Sequence, residues 1–193
     1  MKTKSLVLTA ILATLATLPA YAHTGIGAVH GLLDGVAHPL IGIDHLLVML
    51  AVGLWAAMRG GKSLWLLPLA FVTAMGVGAG LSMLGITINA AETWVAASVV
   101  AAGVLVWRNT KMSSVLAVAL VSVFALAHGY VHALELADDA NALAYSAGFL
   151  LTTAALHGLG LAVGLLAAAR VKMFGAGLGL VCALVGVGLL AGV

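Results

Sequence analysis

The sequence predicts an all-α membrane protein, a bundle of six transmembrane helices that follows a cleaved signal peptide. Of the 193 residues, 64% are hydrophobic and only 7% are charged, whereas a soluble domain is roughly a quarter charged. Apolar segments long enough to cross a bilayer recur along the chain, without the alternating pattern of strands. Because a helix satisfies its own backbone hydrogen bonds in lipid, a helical bundle is the expected architecture.

The first 22 residues have the composition of a secretory signal peptide. Lys2 and Lys4 precede a short apolar run, and Ala20-Tyr21-Ala22 supplies the small residues of a cleavage site. An uncleaved first helix is the alternative, but the run is shorter than the ~20 residues that a span needs. We therefore expect a signal peptide over residues 1–22 and one six-span transmembrane domain over residues 23–193.

Six apolar segments, joined by short loops, make up the rest of the chain. Glycines recur at a spacing of four residues in three places, which predicts close helix packing. The predicted segments cover residues 39–58, 63–85, 92–107, 112–134, 143–169 and 173–193. The spaced glycines are Gly76 and Gly80, Gly160 and Gly164, and Gly175 and Gly179.

The charges between the segments predict the topology. Basic residues occupy alternate loops, and the positive-inside rule makes those loops cytoplasmic. Acidic residues collect in the other loops, so both termini of the mature chain are expected in the periplasm. The basic pairs are Arg59 and Lys62, Arg108 and Lys111, and Arg170 and Lys172; the acidic residues are Asp34, Glu135, Asp138 and Asp139.

Composition and charge also exclude several classes of function. The formal net charge is +2 and the basic residues lie in loops, so no basic patch is available for nucleic acid. The glycine-rich stretches lack the Lys-Ser/Thr of a phosphate loop, which argues against nucleotide binding. Cys182 is the only cysteine, which excludes an intramolecular disulfide and a cysteine-based metal cage.

Seven ionisable side chains lie in or beside the apolar segments and share one depth near the predicted outer face. An ionisable group in hydrocarbon is costly, so such residues usually face a cavity, a partner or an ion. Their concentration at one depth predicts a functional site, and their side chains suit a metal ion. The expected metal ligands are His38, Asp44, His45, Glu92, His128, His132 and Glu135.

The spacing of these residues supports a shared site. His128, His132 and Glu135 are four and three residues apart, so an α-helix stacks them along one face. His38 and His45 are seven residues apart and would be nearly eclipsed on one helix. His38 precedes a proline, which predicts a position just outside the regular helix with its side chain bent over the site.

Imidazole and carboxylate ligands without thiolates suit divalent Co, Ni, Zn or Cu. Affinity alone does not choose among nickel, cobalt and zinc. Three histidines have no assigned role in such a site. His157 is either a hydrogen-bonded packing residue or an outer-shell residue of the site, and the roles of His23 and His30 stay open.

Two motifs resemble signatures of the HupE/UreJ family of bacterial nickel and cobalt permeases. Residues 38–45, HPLIGIDH, are similar to the pattern H-x5-D-H. Residues 127–135, AHGYVHALE, are similar to F-H-G-x-A/V-H-G-x-E, with alanine in place of the aromatic residue and the second glycine. Phe71 and Glu92 match a phenylalanine in the second span and a glutamate opening the third. The resemblance covers the whole chain.

The resemblance implies a secondary transporter that takes up Ni²⁺ or Co²⁺ from the periplasm across the inner membrane. The metal would supply hydrogenase or urease. The divalent ion is then a substrate held by the site above, and no prosthetic group is expected. The other expected partner is the lipid bilayer, nucleic acid is excluded, and homo-oligomerisation stays open.

Two other functions remain as alternatives. The spacing His128-x3-His132 suggests an intramembrane histidine-ligated metalloenzyme of the hydroxylase type. Such di-iron sites need more histidine clusters than the seven histidines here supply, and the chain has no adjacent His-His pair. A b-type haem carrier would need facing histidines deep within two spans. Transport therefore has more support than either alternative.

Overall fold

The computed structural model describes residues 31–136 and 140–192. Within these ranges the regular elements are seven α-helices and one short 3₁₀ turn. The helices are α1 (Leu32–Ile41), α2 (Ile43–Arg59), α3 (Ser63–Met83), α4 (Ala91–Trp107), α5 (Ser114–Leu134), α6 (Ala142–Leu166) and α7 (Val171–Ala191), with the 3₁₀ turn at Ala168–Arg170. The predicted signal peptide, His23, His30, Asp138 and Asp139 lie outside the described residues.

The described chain is a helical bundle with several membrane-spanning candidates, as expected. Three single helices, α3, α5 and α6, and α7 with its preceding turn are long and apolar enough to cross a bilayer. The α1–α2 pair adds a fifth candidate if its two bent helices form one span. Helix α4 has 17 residues, about 26 Å of helix, which is slightly shorter than the hydrocarbon core. The count of six spans therefore stays a prediction.

The first span begins differently from the prediction. His38 lies within α1 and Pro39 occupies the last turn of that helix, so the expected position of His38 outside regular helix is wrong. The chain instead breaks at Gly42, where the backbone is extended and α1 and α2 meet at 80°. Packing of α1 against α6 holds this short helix despite its proline. His38 and His45 consequently lie on two helices and are not eclipsed along one.

Helix α2 lies at the centre of the bundle, in contact with α3, α4, α6 and α7. Pairs of glycines let neighbouring helices approach until their backbones touch. At each of these glycines, a Cβ atom would collide with the backbone of the partner helix. The pairs are Gly35 with Gly148, Gly53 with Gly160, Gly78 with Gly129, and Gly103 with Gly179.

The glycine spacing predicted these contacts only in part. Gly160 and Gly164 face α2, and Gly175 and Gly179 face Met58 and α4, as expected of packing glycines. The prediction for Gly76 and Gly80 is wrong, because a Cβ there would meet at most a leucine methyl group 3.8 Å away. Gly78, between them, makes the close contact instead, since that face of α3 packs on α5.

The predicted cytoplasmic end of α2 is tied to the loop before α5. Arg59 donates hydrogen bonds to the Met112 carbonyl at 2.9 Å and to the Ser63 hydroxyl at 3.2 Å. The indole N–H of Trp55 donates to the Thr110 carbonyl at 3.2 Å, and the Arg59 guanidinium lies 5.0 Å from the Trp55 ring. These contacts fasten this end of α2 to the neighbouring loops.

Candidate metal centre

Three histidines from two helices form a fully enclosed group beneath the outer end of the bundle. His45 comes from the first turn of α2, and His128 and His132 lie one turn apart on α5. One ring nitrogen of each lies within 4.8 Å of the others, and all three side chains are buried. We call His45, His128 and His132 the buried group. Three imidazole nitrogens at this separation are suited to one divalent transition-metal ion.

Asp44 orients His45 and lies outside the buried group. Its Oδ1 atom accepts hydrogen bonds from His45 Nδ1 at 2.7 Å and from the His45 backbone N–H at 2.8 Å. The proton of the neutral imidazole is therefore on Nδ1, and the Nε2 lone pair points at His132 Nε2, with which it is in contact. A carboxylate behind a histidine is the usual outer-shell arrangement of metal ligands.

His128 has a comparable support from Ser98 on α4. The Ser98 hydroxyl donates to the Val95 carbonyl at 2.6 Å, and its oxygen lies 2.7 Å from His128 Nε2. The serine oxygen therefore accepts a hydrogen bond from Nε2–H, and Nδ1 of His128 carries the lone pair. Sequence reasoning missed Ser98, because a hydroxyl within an apolar span carries no pattern that singles it out.

A second group of possible ligands lies closer to the surface and shares His132 with the first. His38 Nε2 lies 3.2 Å from Glu135 Oε2, and His132 Nδ1 lies 3.6 Å from the same oxygen. The side chains of His38 and Glu135 are 23% and 26% exposed, so this group is reachable from outside the bundle. We call His38, His132 and Glu135 the outer group.

His132 presents a different ring nitrogen to each group. Its Nε2 atom contacts His45, and its Nδ1 atom faces Glu135. A neutral imidazole has a single lone pair and can act as a metal ligand through only one nitrogen at a time. The buried and outer groups are therefore mutually exclusive for a neutral His132.

The structure gathers five of the seven expected ligands and leaves two apart. Asp44 and Glu92 belong to neither group, although both line one polar cleft between α2, α4 and α7. Glu92 is exposed in the first turn of α4. The gathered residues are His38, His45, His128, His132 and Glu135.

Aromatic rings enclose the groups. The ring centroid of Phe149 lies 4.2 Å from that of His132. Phe71 is fully buried, with its centroid 5.8 Å from His128 and 5.0 Å from His157. His157 is 1% exposed, and neither of its ring nitrogens has a hydrogen-bond partner among the described residues. The interpretation of His157 as a hydrogen-bonded packing residue is therefore not supported in this part of the chain.

The fold and these side chains define a multi-pass helical membrane protein with a candidate metal centre near one face. The chain belongs to the HupE/UreJ family, because its sequence matches the family described as HupE / UreJ protein over residues 11–189. It is 44% identical to Protein HupE of Rhizobium leguminosarum bv. viciae over 155 residues. This match covers 80% of this chain and 81% of that relative. No solved structure matches the chain. The resemblance seen in the two motifs is thus confirmed.

Proposed function

We propose that the protein is a secondary transporter that takes up Ni²⁺ or Co²⁺ from the periplasm across the inner membrane. One observation carries the proposal: a partly exposed group and a fully buried group of ligands overlap at His132. An accessible group can capture an ion, and an enclosed group can hold it away from water. Membership of the HupE/UreJ family supports nickel or cobalt as the substrate and hydrogenase or urease as its destination.

The outer group is the entry point in this proposal. The Glu135 carboxylate attracts the cation, and His38 and the Nδ1 atom of His132 complete its ligands. Transfer to the buried group requires the same imidazole to bind through Nε2. One ion therefore leaves the outer group as it enters the buried group, and two ions do not occupy neutral His132 together.

Asp44 supplies the countercharge for the buried position. Its carboxylate is fully buried and bonded to His45, so negative charge stands directly behind one ligand. A cation in a low-dielectric interior needs such compensation, since an uncompensated buried charge is strongly destabilising. The Asp44–His45 pair thus combines orientation of a ligand with charge neutralisation.

Hydrogen bonds fasten α2 at the predicted cytoplasmic end. The Arg59 and Trp55 hydrogen bonds hold α2 against the loop before α5, and release of the ion requires an opening on this side. For a divalent cation, the membrane potential contributes about 4.6 kcal/mol per 100 mV toward inward movement. That free energy can drive uptake without nucleotide hydrolysis.

Uptake of radioactive nickel into metal-depleted cells tests the proposal. Cells with the wild-type protein should accumulate Ni²⁺, and His45→Ala should lower the initial rate by roughly tenfold or more. Asp34→Asn is a matched control, because Asp34 is a carboxylate near the same face that belongs to neither group. Competition by Co²⁺ and Zn²⁺ identifies the preferred ion. Unchanged high-affinity uptake by His45→Ala would refute the proposal.

A further inference from the structure

His157 is a buried ionisable side chain that neither ligand group uses. It lies on α6, and both ring nitrogens lack hydrogen-bond partners among the described residues. Burial of an unsatisfied imidazole destabilises a fold, and an apolar side chain of similar size would avoid that cost. A packing role therefore does not account for a histidine at this position.

His157 lies deeper in the bundle than the buried group. Its backbone carbonyl packs against Gly53 of α2. Gly53 follows His45 by eight residues, which corresponds to about 12 Å along the helix. The direction is toward the predicted cytoplasmic side, where α2 ends at Arg59. His157 is thus on the inward side of the candidate metal centre.

Phe71 is in ring contact with both His157 and the buried group. Its ring centroid is 5.8 Å from that of His128 and 5.0 Å from that of His157. The side chain is fully buried. A cation that moves from His128 to His157 would therefore pass beside this ring.

Two further donor atoms accompany His157. Thr153 lies one turn earlier on the same face of α6, and its hydroxyl is 4.0 Å from the sulfur of Met75. Met75 is in turn one turn from Phe71 on the facing helix α3, and both Thr153 and Met75 are buried. The Met75 carbonyl packs against Gly129 of α5, next to His128, so the hydroxyl and the thioether lie near the depth of His128 and on the outer side of His157.

We propose that His157, with Thr153 and Met75 on its outer side, forms a transit site for the divalent cation inward of the buried group. This inference rests on the proposed transport function. The side chains of the site are neutral, so it binds the ion more weakly than groups that contain or contact a carboxylate. Weak binding suits an intermediate position, because a conducted ion must leave as readily as it enters.

The test uses the full-length protein in vesicles and in detergent. His157→Leu removes the imidazole, and Leu156→Met is a volume-conserving control at the neighbouring buried position. For His157→Leu we expect Ni²⁺ uptake into vesicles to fall roughly tenfold or more. Ni²⁺ affinity by calorimetry should stay within about twofold of wild type, and the thermal midpoint should be equal or higher. Leu156→Met should resemble wild type in all three measurements.

Uptake by His157→Leu at a rate close to wild type would overturn the transit site. A parallel loss of Ni²⁺ affinity would also overturn it, because His157 would then support the metal centre itself. If His157→Leu is not recovered folded, His157→Gln, which keeps a polar side chain of similar size, provides the same comparison. Absence of Ni²⁺ uptake by the wild-type protein would instead refute the proposed transport function. It would refute the transit site as well, because the transit site rests on that function.

Discussion

The Nε2 atoms of His45 and His132 are in direct hydrogen-bonding contact between α2 and α5, although 87 residues separate them in the chain. Because Asp44 holds the His45 proton on Nδ1, His132 supplies the proton of this contact. In the proposed transport, binding of a cation by both Nε2 atoms requires the His132 proton to move to Nδ1, which faces the Glu135 carboxylate. The contact therefore identifies the point at which the ion and a proton compete.

Loss of His132 should be more severe than loss of His38. His132→Ala removes a ligand from both groups, whereas His38→Ala removes one from the outer group alone. We expect His132→Ala to abolish both Ni²⁺ binding and uptake. His38→Ala should lower the uptake rate at low external Ni²⁺ more than it lowers calorimetric affinity. Equal effects of the two variants on binding would contradict the separation into two groups.

Asp44→Asn should weaken Ni²⁺ binding without unfolding the protein. Asparagine keeps the shape of the side chain but removes the countercharge and no longer fixes the His45 proton on Nδ1. Changes of this kind behind a metal ligand typically lower affinity by about 10–100-fold. Calorimetric titration of the purified variant measures the change. The exposed carboxylate variant Asp34→Asn should bind Ni²⁺ like wild type, and a matching loss there would point to a general charge effect.

Ser98→Ala should lower Ni²⁺ affinity through His128. The substitution removes the oxygen that accepts the hydrogen bond from His128 Nε2 and leaves that ring free to rotate or change tautomer. We expect an affinity loss of roughly tenfold, with little change in the thermal midpoint. Ser114→Ala, at an exposed position at the start of α5, serves as the control. Wild-type affinity in Ser98→Ala would show that His128 is not held by this bond.

Gly129→Ala should destabilise the protein and reduce uptake together. The added Cβ would collide with the Met75 carbonyl and push α5 away from α3, which moves His128 and His132. Overpacking of this type costs about 1–3 kcal/mol. Gly80→Ala is the matched control, because no atom lies within 4 Å of its added Cβ. The thermal midpoint in detergent and the uptake rate should fall only in Gly129→Ala.

Part of the site was predictable because it depends on local helix geometry. The spacing of His128 and His132 places them one turn apart on any α-helix, and α5 has that form. The same reasoning was wrong for His38 and His45, since it expected His38 just outside the helix of His45, whereas His38 lies within a helix of its own. The break at Gly42 depends on how α1 packs against α6, which the spacing of residues does not contain.

Other members of the site depend on contacts between distant segments. Ser98 supports His128 only because α4 lies beside α5. Phe71 entered as a feature of the family resemblance, but its contact with both His128 and His157 is a property of the packed bundle. A single apolar or hydroxyl side chain in a hydrophobic span carries no pattern from which such a neighbour could be inferred.

The sequence by itself determined the helical membrane class and the stripe of candidate ligands on α5, and it predicts a topology. Hydrophobic length, the placement of basic residues and the helical period are local properties, so they need no knowledge of packing. Only the tertiary structure decided that Asp44 orients His45 and that His132 joins two groups. Those relationships follow from the crossing of helices at paired glycines and from the bend at Gly42, which set distances between residues far apart in the chain.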